Sequence, residues 1–117
     1  MATNSQIAFN PQGNTVVVAA ASTAPLGVQA SVDPRFSAQE TGQVRIVNAG
    51  TAAVFLGIGS TAAIAQANAV AASAGNPAAG VPLVAGAVEI LRFAPGAYFS
   101  GYAASAQTLY ITPGQGL

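Results

Sequence analysis

Two short stretches hold most of the titratable chemistry in this sequence: DPRFSAQE, with Asp33, Arg35 and Glu40, and VEILR, with Glu89 and Arg92. Arg45 completes the set of charged side chains, and histidine and cysteine are absent. Zinc and haem ligation, and nucleophiles of the Cys–His type, are excluded because their ligands and bases are missing. Glu89 and Arg92 stand three apart, so in a strand they point to opposite faces. General acid–base work by Glu89 needs a second positioned group, and the run supplies none. Glu89 is therefore read as a solvated or salt-bridged strand carboxylate, with Arg45 on a neighbouring strand as its partner. Asp33 and Glu40 stand seven apart with Pro34 between them, which is no EF-hand spacing. They are read as loop residues around a turn-forming Asp–Pro. Beside them, Arg35 and Phe36 are residue types enriched at interface hot spots, and both are taken as candidate contact residues.

Two further groups invite a chemical reading. Gly57 and Gly59 in FLGIGS resemble part of a phosphate-cradling loop, but the third glycine, the lysine and the required helix are lacking. Glycines in a strand more often mark a bulge, a bend or a close approach of backbone. Tyr98, Phe99, Tyr102 and Tyr110 cluster near the C-terminus. Tyr98 and Tyr102 share one strand face and Phe99 takes the other. With no basic residue interleaved, stacking on nucleic acid is not expected. A sugar contact through Tyr98 or Tyr102 is a secondary expectation. No cofactor and no metal ion are implied.

The elements that position these residues are short strands. The first fourteen residues are polar and read as an N-terminal arm over 1–14, with Ile7, Phe9 and Pro11 as candidate contacts. Strand-type runs follow at 15–20, 26–32, 43–48, 52–59, 81–93, 98–103 and 107–112, separated by Gly, Pro, Asn and Ser. Such spacing is the signature of a sandwich or small barrel. In 26–32, Leu26, Val28, Ala30 and Val32 alternate onto one face. In 43–48, Val44 and Ile46 face one way, Arg45 and Val47 the other. VRIVNAGTAAVFLGIG (44–59) reads as an apolar hairpin with a turn at NAGT (48–51), where Asn48 and Gly50 are suited to positive φ. The 81–93 run splits into two strand pieces around Gly86. The alanine-rich stretch 61–75 reads as a strand edge followed by a surface loop, with a short helix as the alternative. PGQGL follows the last strand. The fold expectation is an all-β chain: one β-sandwich or jelly-roll domain over 15–117, with about seven or eight short antiparallel strands behind the arm.

Composition narrows the function. Hydrophobic residues make up 52% and charged residues 5%, against roughly 25% charged in a typical soluble domain. Net charge is zero and lysine is absent, so there is no electrostatic footprint for nucleic acid or anionic lipid. A surface this poor in charge has little colloidal protection; it is read as covered by partners, the alternative being solvation by Ser, Thr, Gln, Asn and backbone. The N-terminal run lacks a basic segment and does not read as a secretory signal. The most apolar stretch is broken by Gln66, Asn68 and Ser73, so no membrane helix is expected.

The second half of the chain resembles a known group. VRIVNAG–TAAVFLGIG, then the strand entry with Pro82, Leu83, Ala85, Gly86 and Glu89, then TLYITPGQG (108–116), are similar to small virion proteins of tailed bacteriophages. The resemblance covers residues 44–117, and the alanine-rich 61–80 is longer than the matching connection in those proteins. It implies a β-sandwich or jelly roll on the capsid exterior, acting as a decoration or cement subunit. The partner implied is the major capsid protein, the oligomer a homotrimer on a local symmetry axis, and the location the virion, assembled in the host cytoplasm. Neither nucleic acid nor membrane is expected as a partner. The other expectations are a tail, fibre or head-fibre module touching a host glycan, and a free carbohydrate-binding β-sandwich. An enzyme is not expected.

Overall fold

A computed structural model describes residues 9–11, 13–30, 43–92 and 97–115. Its strands are β1 (Asn10–Pro11), β2 (Val16–Ala20), β3 (Val28–Gln29), β4 (Gln43–Asn48), β5 (Val54–Gly59), β6 (Val81–Leu83), β7 (Val88–Arg92), β8 (Tyr98–Tyr102) and β9 (Gln107–Gln115), with one helix, α1 (Ala62–Asn68). Every pairing between these strands is antiparallel. The pairs nest: β5 with β6, β4 with β7, β3 with β8, β2 with β9. A long hairpin would pair in this way. It is then rolled up, so that β4 also lies against β9 and β5 against β8. Two sheets result, β2–β9–β4–β7 and β3–β8–β5–β6, with β1 beside the far end of β9. This strand order is that of an eight-stranded jelly roll, and the all-β sandwich expected from the strand spacing is what the chain forms.

The core lies between the sheets. Val18, Ala20, Val44, Ile46, Leu109 and Ile111 come from one sheet, and Val54, Leu56, Leu83 and Phe99 from the other, each at most 2% exposed. Alternation along the strands sends these residues inward and their neighbours outward. With so few charges, apolar burial at ~1.5–3 kcal/mol per large side chain is the main stabilising term. Val28 and Ala30 join this core, whereas Leu26 precedes β3 and is 61% exposed. Val32 lies outside the described residues.

The run at 44–59 is not a hairpin. β4 and β5 belong to different sheets, so residues 49–53 arch across the edge of the sandwich. Asn48 holds this arch. It is fully buried, and its Nδ2 donates to the carbonyls of Ala52, Leu83 and Val84 at 3.1, 2.9 and 3.1 Å. Its Oδ1 accepts from Gly50 N at 3.0 Å. Neither Asn48 nor Gly50 has positive φ. Gly50 is small for a different reason: a Cβ there would run into the side chain of Gln107, whose Oε1 accepts from Thr51 N. Among the described residues, positive φ falls at Gly75 and Gly86, the latter in the break between β6 and β7.

Two more expectations need correction. PGQGL does not follow the last strand, because β9 runs through Pro113 and Gly114 to Gln115. Ala49 N donates to Thr108 O, and counting along the ladder makes Val44–Pro113 a pair without mutual hydrogen bonds. The missing N–H of Pro113 therefore faces away from β4. There the partners along β9 change from β2, which reaches Ile111, to β1, which starts at Gly114, the kind of break in a ladder where proline is tolerated.

The alanine-rich stretch opens as a helix rather than a loop. Thr61 caps α1, its Oγ1 accepting from Ile64 N at 3.2 Å. Thr61→Ala is expected to lower stability by ~1 kcal/mol in urea denaturation, and Thr61→Ser, which keeps the capping hydroxyl, to change it little. An alanine variant as stable as the wild type would show that packing alone holds the helix.

Candidate interaction surfaces

The two outer faces of the sandwich are treated differently. On the β3–β8–β5–β6 sheet the chain covers itself. Seven residues are too few for an isolated helix to persist, so α1 depends on its seat. Ala65 and Ala69 are buried against β5. A Cβ on Gly57 would approach Ala69 Cα to 2.7 Å, and one on Gly27 would approach Ala65 Cβ to 2.8 Å. The FLGIGS glycines thus serve close approach of a helix. Polar bonds secure the seat: Gln66 Nε2 donates to Ala24 O at 2.7 Å, Asn68 Nδ2 to Ile58 O at 2.8 Å, and Ser100 Oγ to Pro25 O at 2.6 Å.

Tyr98 and Tyr102 lie on this same outer side of β8, both half-buried, while Phe99 is in the core. The expected division of faces is therefore correct. Tyr102 borders an open cleft of about 580 Å³ with Ser22, Thr23, Gln66 and Val70. Tyr98 does not line it. An aromatic ring beside two exposed hydroxyls is a chemistry that a sugar can use, though the Gln66 amide nitrogen already has a partner.

The β2–β9–β4–β7 sheet is different. Its outward residues Val17, Tyr110, Val47 and Val88 stand directly opposite one another across all four strands. Val17 is 51% exposed, Tyr110 42% and Val88 50%, so an apolar row crosses the face uncovered. The neighbouring row is Thr112, Arg45 and Ile90. Thr112 Oγ1 lies 2.7 Å from Thr15 Oγ1. These two threonines, Arg45, Phe9 and Pro11 surround a pocket of about 410 Å³. Two candidate contacts of the arm, Phe9 and Pro11, thereby meet the sole charge of the 44–59 run.

Arg45 does not pair with Glu89. The β4–β7 register sets Arg45 against Ile90 and Glu89 against Ile46, and directly opposed residues share a face. Glu89 is on the core side of β7, exposed because β7 is an edge strand. A charge pointing inward on an edge discourages strand addition. Arg92, two positions beyond Ile90, shares the outer face with Arg45.

Ile7, Arg35 and Phe36 lie outside the described residues, as do Asp33 and Glu40. Among the described residues no group of three or more metal-ligating side chains occurs, and no helix is long and apolar enough to cross a membrane. Sequence reasoning missed Val17, Val88 and the Thr15–Thr112 pair. Their alignment depends on the register of four strands far apart in the chain, and the only local signal was outward alternation within each run. Compared with protein-family models, curated proteins and solved structures, the chain matches none.

Proposed function

We propose that this chain is a non-enzymatic structural protein of a tailed-bacteriophage virion, which decorates and stabilises the capsid by binding the major capsid protein. One observation carries this: a sandwich that covers one outer sheet face with its own helix leaves the other as an aligned apolar row. An aligned row of half-exposed apolar side chains is a surface that a partner can bury, and this chain has few charges to keep such a face solvated. Its resemblance to small phage virion proteins over 44–117 supplies the partner. Many copies around a shell sum modest contacts into lasting reinforcement. Within this proposal the chain works as a homotrimer on a local symmetry axis.

Quantitative mass spectrometry of purified virions tests the proposal. Hundreds of copies per particle are expected, and absence from virions would end it. A dozen copies or fewer would favour the second reading, a tail, fibre or head-fibre module. The Tyr102 cleft with Ser22 and Thr23 gives that reading its support, since it offers a ring and hydroxyls for a host glycan. A free carbohydrate-binding sandwich would instead show glycan-dependent thermal stabilisation with no capsid present.

A further inference from the structure

We infer that the outer face of the β2–β9–β4–β7 sheet is the docking surface, and that its occupant is a protein surface presenting a carboxylate to Arg45 within an apolar surround. This rests on the capsid-binding proposal and assigns that contact to one face and one anchoring charge. The first support is charge. This face carries two guanidinium groups, Arg45 and Arg92, and no carboxylate of the described residues; Glu89, the one acid among them, is on the opposite side of β7. A guanidinium makes its strongest protein contacts as a bidentate partner of a carboxylate. The open pocket beside Arg45 is also lined by an aromatic ring, a proline ring and two hydroxyls, so an acidic side chain seated there would meet apolar surface and hydrogen-bonding groups around the guanidinium.

The second support is size. Four strands spaced about 4.8 Å and five residues rising about 3.3 Å each give a flat area on the order of 300 Å². A standard interface buries about 800 Å² per partner. Two copies packed through this face alone would gain too little area for a stable dimer, and would bring together two faces whose described charges are all positive. The proposed trimer docked on an acidic, apolar shell surface avoids both difficulties, because its three linked faces multiply a modest contact by avidity.

The test is equilibrium binding to capsid shells stripped of this chain, using the wild type, Arg45→Ala, Arg45→Glu and, as a control on the exposed segment outside this face, Ala78→Glu. Circular dichroism and thermal melting establish that each variant is folded. Arg45→Ala is expected to bind several-fold more weakly and Arg45→Glu at least tenfold more weakly, with Ala78→Glu unchanged. Added salt should weaken the wild type and have little effect on Arg45→Ala. Saturable wild-type binding that Arg45→Glu leaves within twofold would overturn this inference alone. A wild-type chain that ignores the shells would overturn the capsid proposal, and this inference with it. If Arg45→Glu instead changes the mass of the free chain in sedimentation, the occupant is a second copy and the acidic partner is rejected.

Discussion

Asn48→Leu should destabilise the fold by ~3–5 kcal/mol, since it removes four hydrogen bonds, one buried and three part-buried, at ~0.5–1.5 kcal/mol each. Leucine is larger than asparagine, so no cavity is left, and the loss combines the broken polar network with some overpacking at this fully buried position. The carbonyls of Ala52, Leu83 and Val84 would lose their shared donor, and Gly50 N its acceptor. These four groups belong to two connections, the arch from β4 to β5 and the exit from β6. One side chain therefore ties together segments from both sheets. Few small domains exceed ~15 kcal/mol in total stability, so the variant stands close to unfolding. In urea, with a slope of ~1–3 kcal/mol per molar, the midpoint should fall by at least about 1 M. A loss under ~1 kcal/mol would mean that water reaches these carbonyls and that Asn48 is not the node described.

Gly57→Val should unseat α1. The added side chain would be driven against the backbone of Ala65 and Ala69, which cannot rotate away as a side-chain tip can. Overpacking of this kind costs ~1–3 kcal/mol, and here it falls on a helix too short to survive undocked. The expected signature is local: faster amide exchange over residues 62–69, and thermolysin cleavage near Ile64 or Val70 while the sandwich remains folded. Gly75→Asn is the informative contrast. Gly75 has φ +79°, and a Cβ there would meet nothing within 4 Å, so glycine is needed for backbone conformation and not for space. Asparagine tolerates that conformation, and stability should change little. Protection of α1 left intact in Gly57→Val would show that the helix docks elsewhere.

The strands are legible because their signal is local. In QVRIVN and VFLGIG, alternation and β-branched residues suffice to define the element, and β4 has the bounds read from the sequence. The helix is less legible. Alanine fits a helix, but AAIAQAN carries no stripe of large apolar residues, and α1 is held by glycines on β3's approach and on β5 rather than by its own periodicity. Asn48 misleads for a related reason. Asn before Ala–Gly suggests a tight turn locally, yet three of its bonds reach carbonyls that the fold brings to it, two of them 35 and 36 residues away.

From its residues alone the chain determined that it would be all-β, poor in charge, free of histidine and cysteine chemistry, and inclined to bury apolar faces. These are properties of composition and of period-two alternation, which any strand expresses before it finds a partner. Tertiary structure decided which strands meet. It turned the apparent 44–59 hairpin into an arch between sheets, sent Glu89 to the far side of β7 from Arg45, and set Val17, Tyr110, Val47 and Val88 in one row. Sequence alternation shows that a residue points outward from its strand. Only the rolled jelly-roll order shows whether that outward side meets a helix of the same chain, as β5 does at Gly57, or is left open, as β4 is at Arg45 and Val47.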